Sequence, residues 1–555
     1  MIKKIICIIV TMTVLVMPVD MYAQDEIVKR FVDVPEGHWS EAAVHQLRDL
    51  GITKGVSVSE NRFGLGDEIT RAEFVTFLVR LKKWELKVPD KASFLDVKDS
   101  EWFYKSIETA VLNNVFNDIV SEFRPQDSIT REEMAIMIIN TLGYDSLAKL
   151  LNDDPSSFTD VNENVGYIEL LKSFGIVNGK GDGIFAPKET AKREEAAAIL
   201  IRMHNKINAD IVSRNAFYAD SSYSQMTKMQ HFDSVSFGWA KLSYDEIKSE
   251  FVLQDNKPLG YEEPLNYAIE KSLESRLSIL TSDYTKITDD NIGIITYLLD
   301  SDELQEKLIG DIASALSGEI VYDGVVIDFE DMASRDLREG YNEFLSKLDA
   351  ALEKLDKSLT VMVQPSLYYK GYDFKTIGEV ADQIIIMAHD YNARSLKDEE
   401  QKSGYTFTPL APIQQVYETL VALTDSQTGV MDRTKISFQI SMAAVQWGIN
   451  PDGSVYNASA YQPSYEMINN RLVNDTTTIS FNETIQSPKA EYFNTNDSLD
   501  YVIWYEDSRS VESKIKLAKM FDIEQISVWR LGNIPDYIDD KDKPVYMDVL
   551  ETIIE

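Results

Sequence analysis

One block of sequence occurs three times, and nothing else in the chain restricts its fold as strongly. RFVDVPEGHWSEAAVHQLRDLGI begins at Arg30, SFLDVKDSEWFYKSIETAVLNNVF at Ser93 and SFTDVNENVGYIELLKSFGI at Ser157, so Asp33, Asp96 and Asp160 stand 63 and 64 residues apart. A period of that length marks units that cannot bury an apolar face alone and must pack on one another. Each block runs through a Gly- or Asp-containing turn and a Phe into a second helix. These helices open ITRAEFVTFLVRL at Ile69, ITREEMAIMIINTL at Ile129 and AKREEAAAILIRM at Ala191. The expectation is an all-α bundle of three helix–loop–helix repeats, over 24–86, 87–149 and 150–207.

The second helices carry a local signal. Thr70 with Glu73, and Thr130 with Glu133, fit the T-x-x-E capping box, whereas Lys192 replaces the Thr in the third copy. Capping does not explain Arg71, Arg131 and Arg193, which recur at the first helical position. An arginine beside a helix N-terminus makes an anion site, and a plain helix start is an equal alternative for so short a motif. The whole triplet, with its F-x-D-V start, Trp39, Trp102 and T-R-x-E helix openings, resembles S-layer homology domains over about Val28 to Ile207. That resemblance implies binding of secondary cell-wall polysaccharide of a Gram-positive envelope. The family's binding arginine falls on Arg71, Arg131 and Arg193. Trp39 and Trp102 are candidates for sugar stacking or for the core. The third repeat lacks both the Trp and the Thr.

After a polar joint, NKINADIVSRN, the pattern changes. The remaining chain, 208–555, carries eight short apolar runs: AFYA at 216, DSVSFGW at 233, LSILTS at 277, DGVVIDF at 323, LTVMVQP at 359, QIIIMAH at 383, KISFQISM at 435 and QISVW at 525. Helical stretches such as EPLNYAIEKSLESR, REGYNEFLSKLDAALEKL and SRSVESKIKLAKMF lie between most of them. Eight buried strands alternating with helices point to an α/β fold, a (β/α)8 TIM barrel with insertions, whose chemistry belongs at the C-terminal strand ends.

The fourth run places two carboxylates in an apolar strand. Alternation puts Val326, Asp328 and Glu330 on the face toward the barrel axis, and Val325, Ile327 and Phe329 under the helices. Two acids so close in a buried strand raise at least one pKa, which suits a general acid; a structural acid pair is the plainer alternative. DGVVIDFE in its context resembles the D-G-x-D-x-D-x-E motif of glycoside hydrolase family 18, the family of chitinases and of wall- and spore-lytic N-acetylglucosaminidases. FYADSSYSQMTKMQHFDSVSFGWAKL, IIIMAHDYNA and YVIWYEDSRSVESKIKLAKMFDIEQISVWRLGN extend the resemblance from about Arg214 to Ile538.

The resemblance implies substrate-assisted retention. Glu330 corresponds to the acid that protonates the glycosidic oxygen, and Asp328 to the group that restrains the 2-acetamido N–H while its carbonyl attacks the anomeric carbon. Trp529 matches the floor under the sugar, Asp390 a substrate-contacting acid, and Met387 and Gln364 further lining. Trp447, Tyr368 and Tyr369 are either outer cleft wall or packing. Two positions depart from the pattern. Val326 replaces the middle Asp of the motif, and His389 replaces the usual Tyr beside Asp390.

MIKKIICIIVTMTVLVMPVDMYAQDE reads as a secretory signal peptide, residues 1–23, with no membrane span after it. Cys7 is the sole cysteine and lies in that segment, so the rest of the chain has no thiol chemistry. The five histidines lack ligand spacing, so neither a metal nor a cofactor is expected. A net charge of -36 argues against nucleic acid as a partner. Two functions remain. The first is a secreted enzyme, bound to the Gram-positive wall or S-layer, that cleaves β-1,4 linkages next to N-acetylglucosamine in peptidoglycan or a chitin-like glycan. The second is a catalytically weak or inactive glycan-binding structural protein of the S-layer.

Overall fold

In the computed structural model the described residues are 30–117, 121–318, 320–538, 540 and 542–554. The expected signal peptide lies outside them. No helix among the described residues is long and apolar enough to cross a membrane.

Helices α1 (Glu41–Asp49), α2 (Arg71–Leu81), α3 (Tyr104–Leu112), α4 (Arg131–Leu142), α5 (Asp145–Leu150), α6 (Val165–Ser173) and α7 (Arg193–Ile207) build the repeat region. Both expected capping boxes form: Thr70 accepts from Glu73 N–H at 3.2 Å, Thr130 accepts from Glu133 N–H at 3.2 Å, and each Glu accepts the backbone N–H of its Thr. At Lys192 half the device survives, because Glu195 still accepts the backbone N–H at 2.9 Å.

The expected purely helical bundle needs correction. Short antiparallel bridges tie the repeats together, Thr70 to Ser128, Thr130 to Thr190 and Glu68 to Lys192. Around them runs a closed ring of backbone bonds: Ile129 N–H to Ile69 O, Ala191 N–H to Ile129 O and Ile69 N–H to Ala191 O, at 3.0, 2.9 and 3.1 Å. The orphan N–H groups at the helix starts drive this arrangement, since each needs an acceptor and finds it in the neighbouring repeat.

The barrel strands are β1 (Ser213–Tyr218), β2 (Ser234–Asp245), β3 (Glu274–Ser282), β4 (Gly324–Glu330), β5 (Ser358–Val363), β6 (Gln383–Ile386), β7 (Ile436–Ser441) and β8 (Gln525–Trp529). All eight coincide with the apolar runs. Each pairs in parallel with the next, and β8 pairs with β1 to close the cylinder. Phe329 stacks on Phe344 of helix Leu337–Leu352 at 5.7 Å, while Val326 packs with Phe217, Met362, Ile385 and Met387 inside the barrel, so β4 presents the expected faces. EPLNYAIEKSLESR is less helical than its pattern: its helix ends at Glu270, and Glu274 already begins β3.

Between β7 and β8 the chain inserts a four-stranded antiparallel sheet, Val445–Ile449, Thr478–Asn482, Ser487–Asn494 and Leu499–Trp504. Trp447 is fully buried there and its Nε1–H donates to Thr408 Oγ1 at 2.7 Å, so it is core and not cleft wall. The third repeat packs on the barrel: Phe174 meets Phe521 edge-on at 5.6 Å, the Ser173 and Tyr417 hydroxyls are 2.9 Å apart, and Lys206 donates to Met520 O at 3.0 Å.

Candidate active site

At the C-terminal ends of the strands lies a cleft of about 420 Å³. It gathers Asp328, Glu330, Gln364, Met387, His389, Asp390 and Trp529, the residues matched from sequence to the acid, its neighbour and the sugar-lining positions, and with them Tyr368 and Tyr369, but not Trp447. Tyr284, Arg394 and Gln439 also line it and were not singled out. Tyr284 and Arg394 sit on loops, where no periodicity marks them. Gln439 lies on β7, in a strand whose other residues are ordinary packing.

Glu330 ends β4 at the rim, partly open to the cleft. Burial first, and then the neighbouring Asp331, push its carboxyl up to about 6; His389 and Arg394 pull the other way. Asp328 lies one turn of the pleat deeper. It is buried, its Oδ1 has no hydrogen-bond partner, and burial together with Glu330 and Asp331 holds its pKa well above the usual carboxylate range. Val326, on the same face, contributes only methyl groups beneath it. A pair of acids in which the outer one is protonated near pH 6 and the inner one has an unused oxygen can deliver a proton and accept an N–H.

Asp331 follows directly, in a left-handed conformation with φ 61. Its side chain accepts the Ser282 hydroxyl, and its N–H donates to Gln364 Oε1 at 2.6 Å. Gln364 Oε1 also takes the Tyr372 hydroxyl at 3.3 Å. The Gln364 side chain is therefore fixed by the strand end that carries Glu330.

His389 Nε2 lies 2.8 Å from Gln439 Oε1, and Nδ1 lies 3.2 Å from Asp390 Oδ2. Burial opposes the imidazolium, yet Asp390 and Gln439 outweigh it, and the His389 pKa is raised. Asp390 is held below the usual range: burial works against this, but the charges of His389 and Arg394 prevail. Nε2 of His389 is engaged by Gln439, whereas Nδ1 is buried beside Asp390 with no hydrogen bond of its own. Trp529 closes the floor, its ring 5.3 Å from Phe217 and in contact with the apolar cluster that contains Val326 and Met387.

In the repeat region the three arginines form a cyclic set. Arg71 Nε–H donates to Phe123 O and its guanidinium pairs with Glu133 at 2.6 Å; Arg131 reaches Phe185 O and Glu195; Arg193 reaches Phe63 O and Glu73 at 2.7 Å. Each guanidinium also lies over the ring of that Phe, at 4.8, 4.8 and 5.3 Å. The turn bearing each Phe is held by the marker aspartates Asp33, Asp96 and Asp160, which accept its backbone N–H groups. All three arginines are buried, whereas Trp39 and Trp102 are each 60% exposed.

Comparison with known proteins places both halves. Residues 283–533 match the family described as Glycosyl hydrolases family 18, and residues 30–75, 93–135 and 157–197 match the S-layer homology domain. The chain carries three S-layer homology domains and a family 18 domain. An amylopullulanase of Thermoanaerobacterium thermosulfurigenes is 31% identical over 33% of this chain and 10% of its own length. A cortical fragment-lytic enzyme of Bacillus anthracis is 26% identical over 37% of this chain and 45% of its own length. The chain thus spans less than half of either relative. The crystal structure of the Bacillus cereus spore cortex-lytic enzyme SleL covers 62% of this chain and 74% of its own, at 20% identity and a TM-score of 0.48. The family 18 match begins at Tyr284's neighbour, residue 283, just past β3, so the first three barrel strands rest on the closed parallel pairing alone.

Proposed function

We propose that this family 18 domain is a retaining glycosidase that cleaves β-1,4 linkages next to N-acetylglucosamine in wall glycan, held at the envelope by the three repeats. The observation that carries the reading is Glu330, an acid raised to about 6 at the cleft mouth, with the unpartnered Asp328 oxygen below it. Glu330 donates its proton to the glycosidic oxygen. Asp328 accepts the acetamido N–H, which positions the sugar's own carbonyl oxygen to attack the anomeric carbon. The deprotonated Glu330 then takes a proton from the water that opens the resulting oxazolinium ring, and the enzyme returns to its starting state. No carboxylate nucleophile is needed, unlike the two-acid scheme. Trp529 offers an apolar face for the sugar.

Wall attachment is assigned to Arg71, Arg131, Arg193, Trp39 and Trp102, the two indoles exposed and the three arginines buried at the repeat junctions. Tethering raises the local concentration of the barrel at its substrate. The test is Glu330→Gln assayed by mass spectrometry of products from peptidoglycan and chitooligosaccharides. Loss of hydrolysis by a factor of about 10² to 10⁴, with glycan binding kept, is expected. Wild-type turnover in that variant would refute the assignment.

A second reading, a glycan-binding structural protein, is favoured by Val326, which leaves Asp328 without the proton-sharing neighbour of the family motif. Under it, wild type and Glu330→Gln would bind glycan equally and release no products.

A further inference from the structure

We propose that Arg394 makes the cleft selective for an amino-sugar glycan that bears a carboxylate beside the bond to be cut. The inference rests on the glycosidase reading above and names the substrate class of that site.

Three of the charged groups that line the cleft, Asp328, Glu330 and Asp390, are acids, and Arg394 is the arginine set among them. It is exposed to solvent and makes no ion pair among the described residues, although Glu330 and Asp390 both feel its charge. Its position is fixed by backbone. Arg394 O accepts Ala460 N–H at 3.0 Å, and Leu396 N–H donates to Ala458 O at 2.9 Å, so the loop after β6 is sewn to the inserted sheet region.

For a neutral glycan this is a costly place for a guanidinium. Cleavage builds positive charge at the anomeric carbon, and a fixed cation nearby opposes it. The same cation favours the ionised form of Glu330, against the proton the reaction needs. A substrate carboxylate reverses both effects. It pairs with the planar guanidinium, which can offer two parallel N–H donors, and it screens the cation from the reacting centre. It also gives an acidic glycan a local point of attraction on a chain whose net charge of -36 otherwise repels it. In an amino-sugar polymer the carboxylate has two sources, the lactyl ether of N-acetylmuramic acid or a peptide attached through it.

The test measures binding in the Glu330→Gln background by titration calorimetry. The ligands are a GlcNAc–muramic acid tetrasaccharide with free lactyl groups, the same tetrasaccharide carrying stem peptides, and neutral chitotetraose. Adding Arg394→Gln is expected to lower the affinity ratio of acidic to neutral ligand about ten-fold or more, as loss of a charge-assisted pair implies, and Arg394→Lys should recover part of it. A drop with the free lactyl ligand assigns the lactyl group; a drop confined to the stem-bearing ligand assigns the peptide. An unchanged ratio, including an equal loss on acidic and neutral ligands, overturns the proposal. Turnover by wild type is measured separately, so an inactive barrel counts against the glycosidase reading while the affinity ratio still decides the role of Arg394.

Discussion

Asp331→Asn probes the proton on Glu330 without touching Glu330 itself. Asparagine suits the left-handed backbone at this position, and its amide oxygen can still accept the Ser282 hydroxyl, so apart from the contact with the Tyr369 hydroxyl the substitution removes only a charge. Glu330 is raised from an ordinary 4.5 to about 6, a rise worth about 2 kcal/mol. Burial is the larger cause and Asp331 the next. Loss of one neighbouring negative charge is taken to lower the Glu330 pKa by about 0.5 in the variant. The acid form is the active one, so activity is lost as pH rises through that pKa. At pH 7 the protonated fraction falls from roughly one tenth to roughly one thirtieth, an approximately three-fold loss, whereas at pH 5 the loss is only about a sixth. The assay is kcat/KM against pH on a soluble N-acetylglucosamine oligosaccharide, which reports the free enzyme. A basic limb that stays in place, or that moves to higher pH, would refute the claim that Glu330 is the proton donor and that Asp331 helps hold its proton.

Arg193→Met should destabilise the repeat region by about 3 kcal/mol, since it strips a buried cation from Glu73, Phe63 O and two phenyl rings at once. Hydrogen exchange of α2 and α7 reads this, with faster exchange in both helices expected and an effect confined to α7 counting against the ring. Removing residues 24–207 should release the barrel from purified walls in a sedimentation assay. The same deletion uncovers Phe521 and Tyr417, so calorimetry should show a lower barrel melting temperature than in the full chain, and an unshifted transition would mean that the contact with the third repeat contributes nothing.

The barrel was legible because its strands are short, apolar and separated by helices, and because alternation alone fixes which way Asp328 and Glu330 point. The inserted antiparallel sheet was not, since its strands mix polar and apolar residues and Trp447 reads equally well as cleft or core until its partner Thr408, far off in sequence, is known. Asp331 and Arg394 escaped for a different reason. Loop residues carry no periodicity, and their importance comes from what the barrel brings near them. The arginines of the repeats were legible as positions but not as contacts. A first-turn Arg suggests an anion outside the protein, and the structure supplies one from inside, the capping glutamate of the next repeat.

That last contact has an architectural consequence. Most tandem repeats stack in a line, so copies can be gained or lost at an end with little effect on the rest. Here the third copy hands its arginine back to the first, and the set has no free end. Rotational closure fixes the copy number much as it does in a cyclic oligomer. A chain that lost one unit would have to rebuild both remaining junctions at a new angle, and a chain that gained one would have nowhere in the circle to seat it.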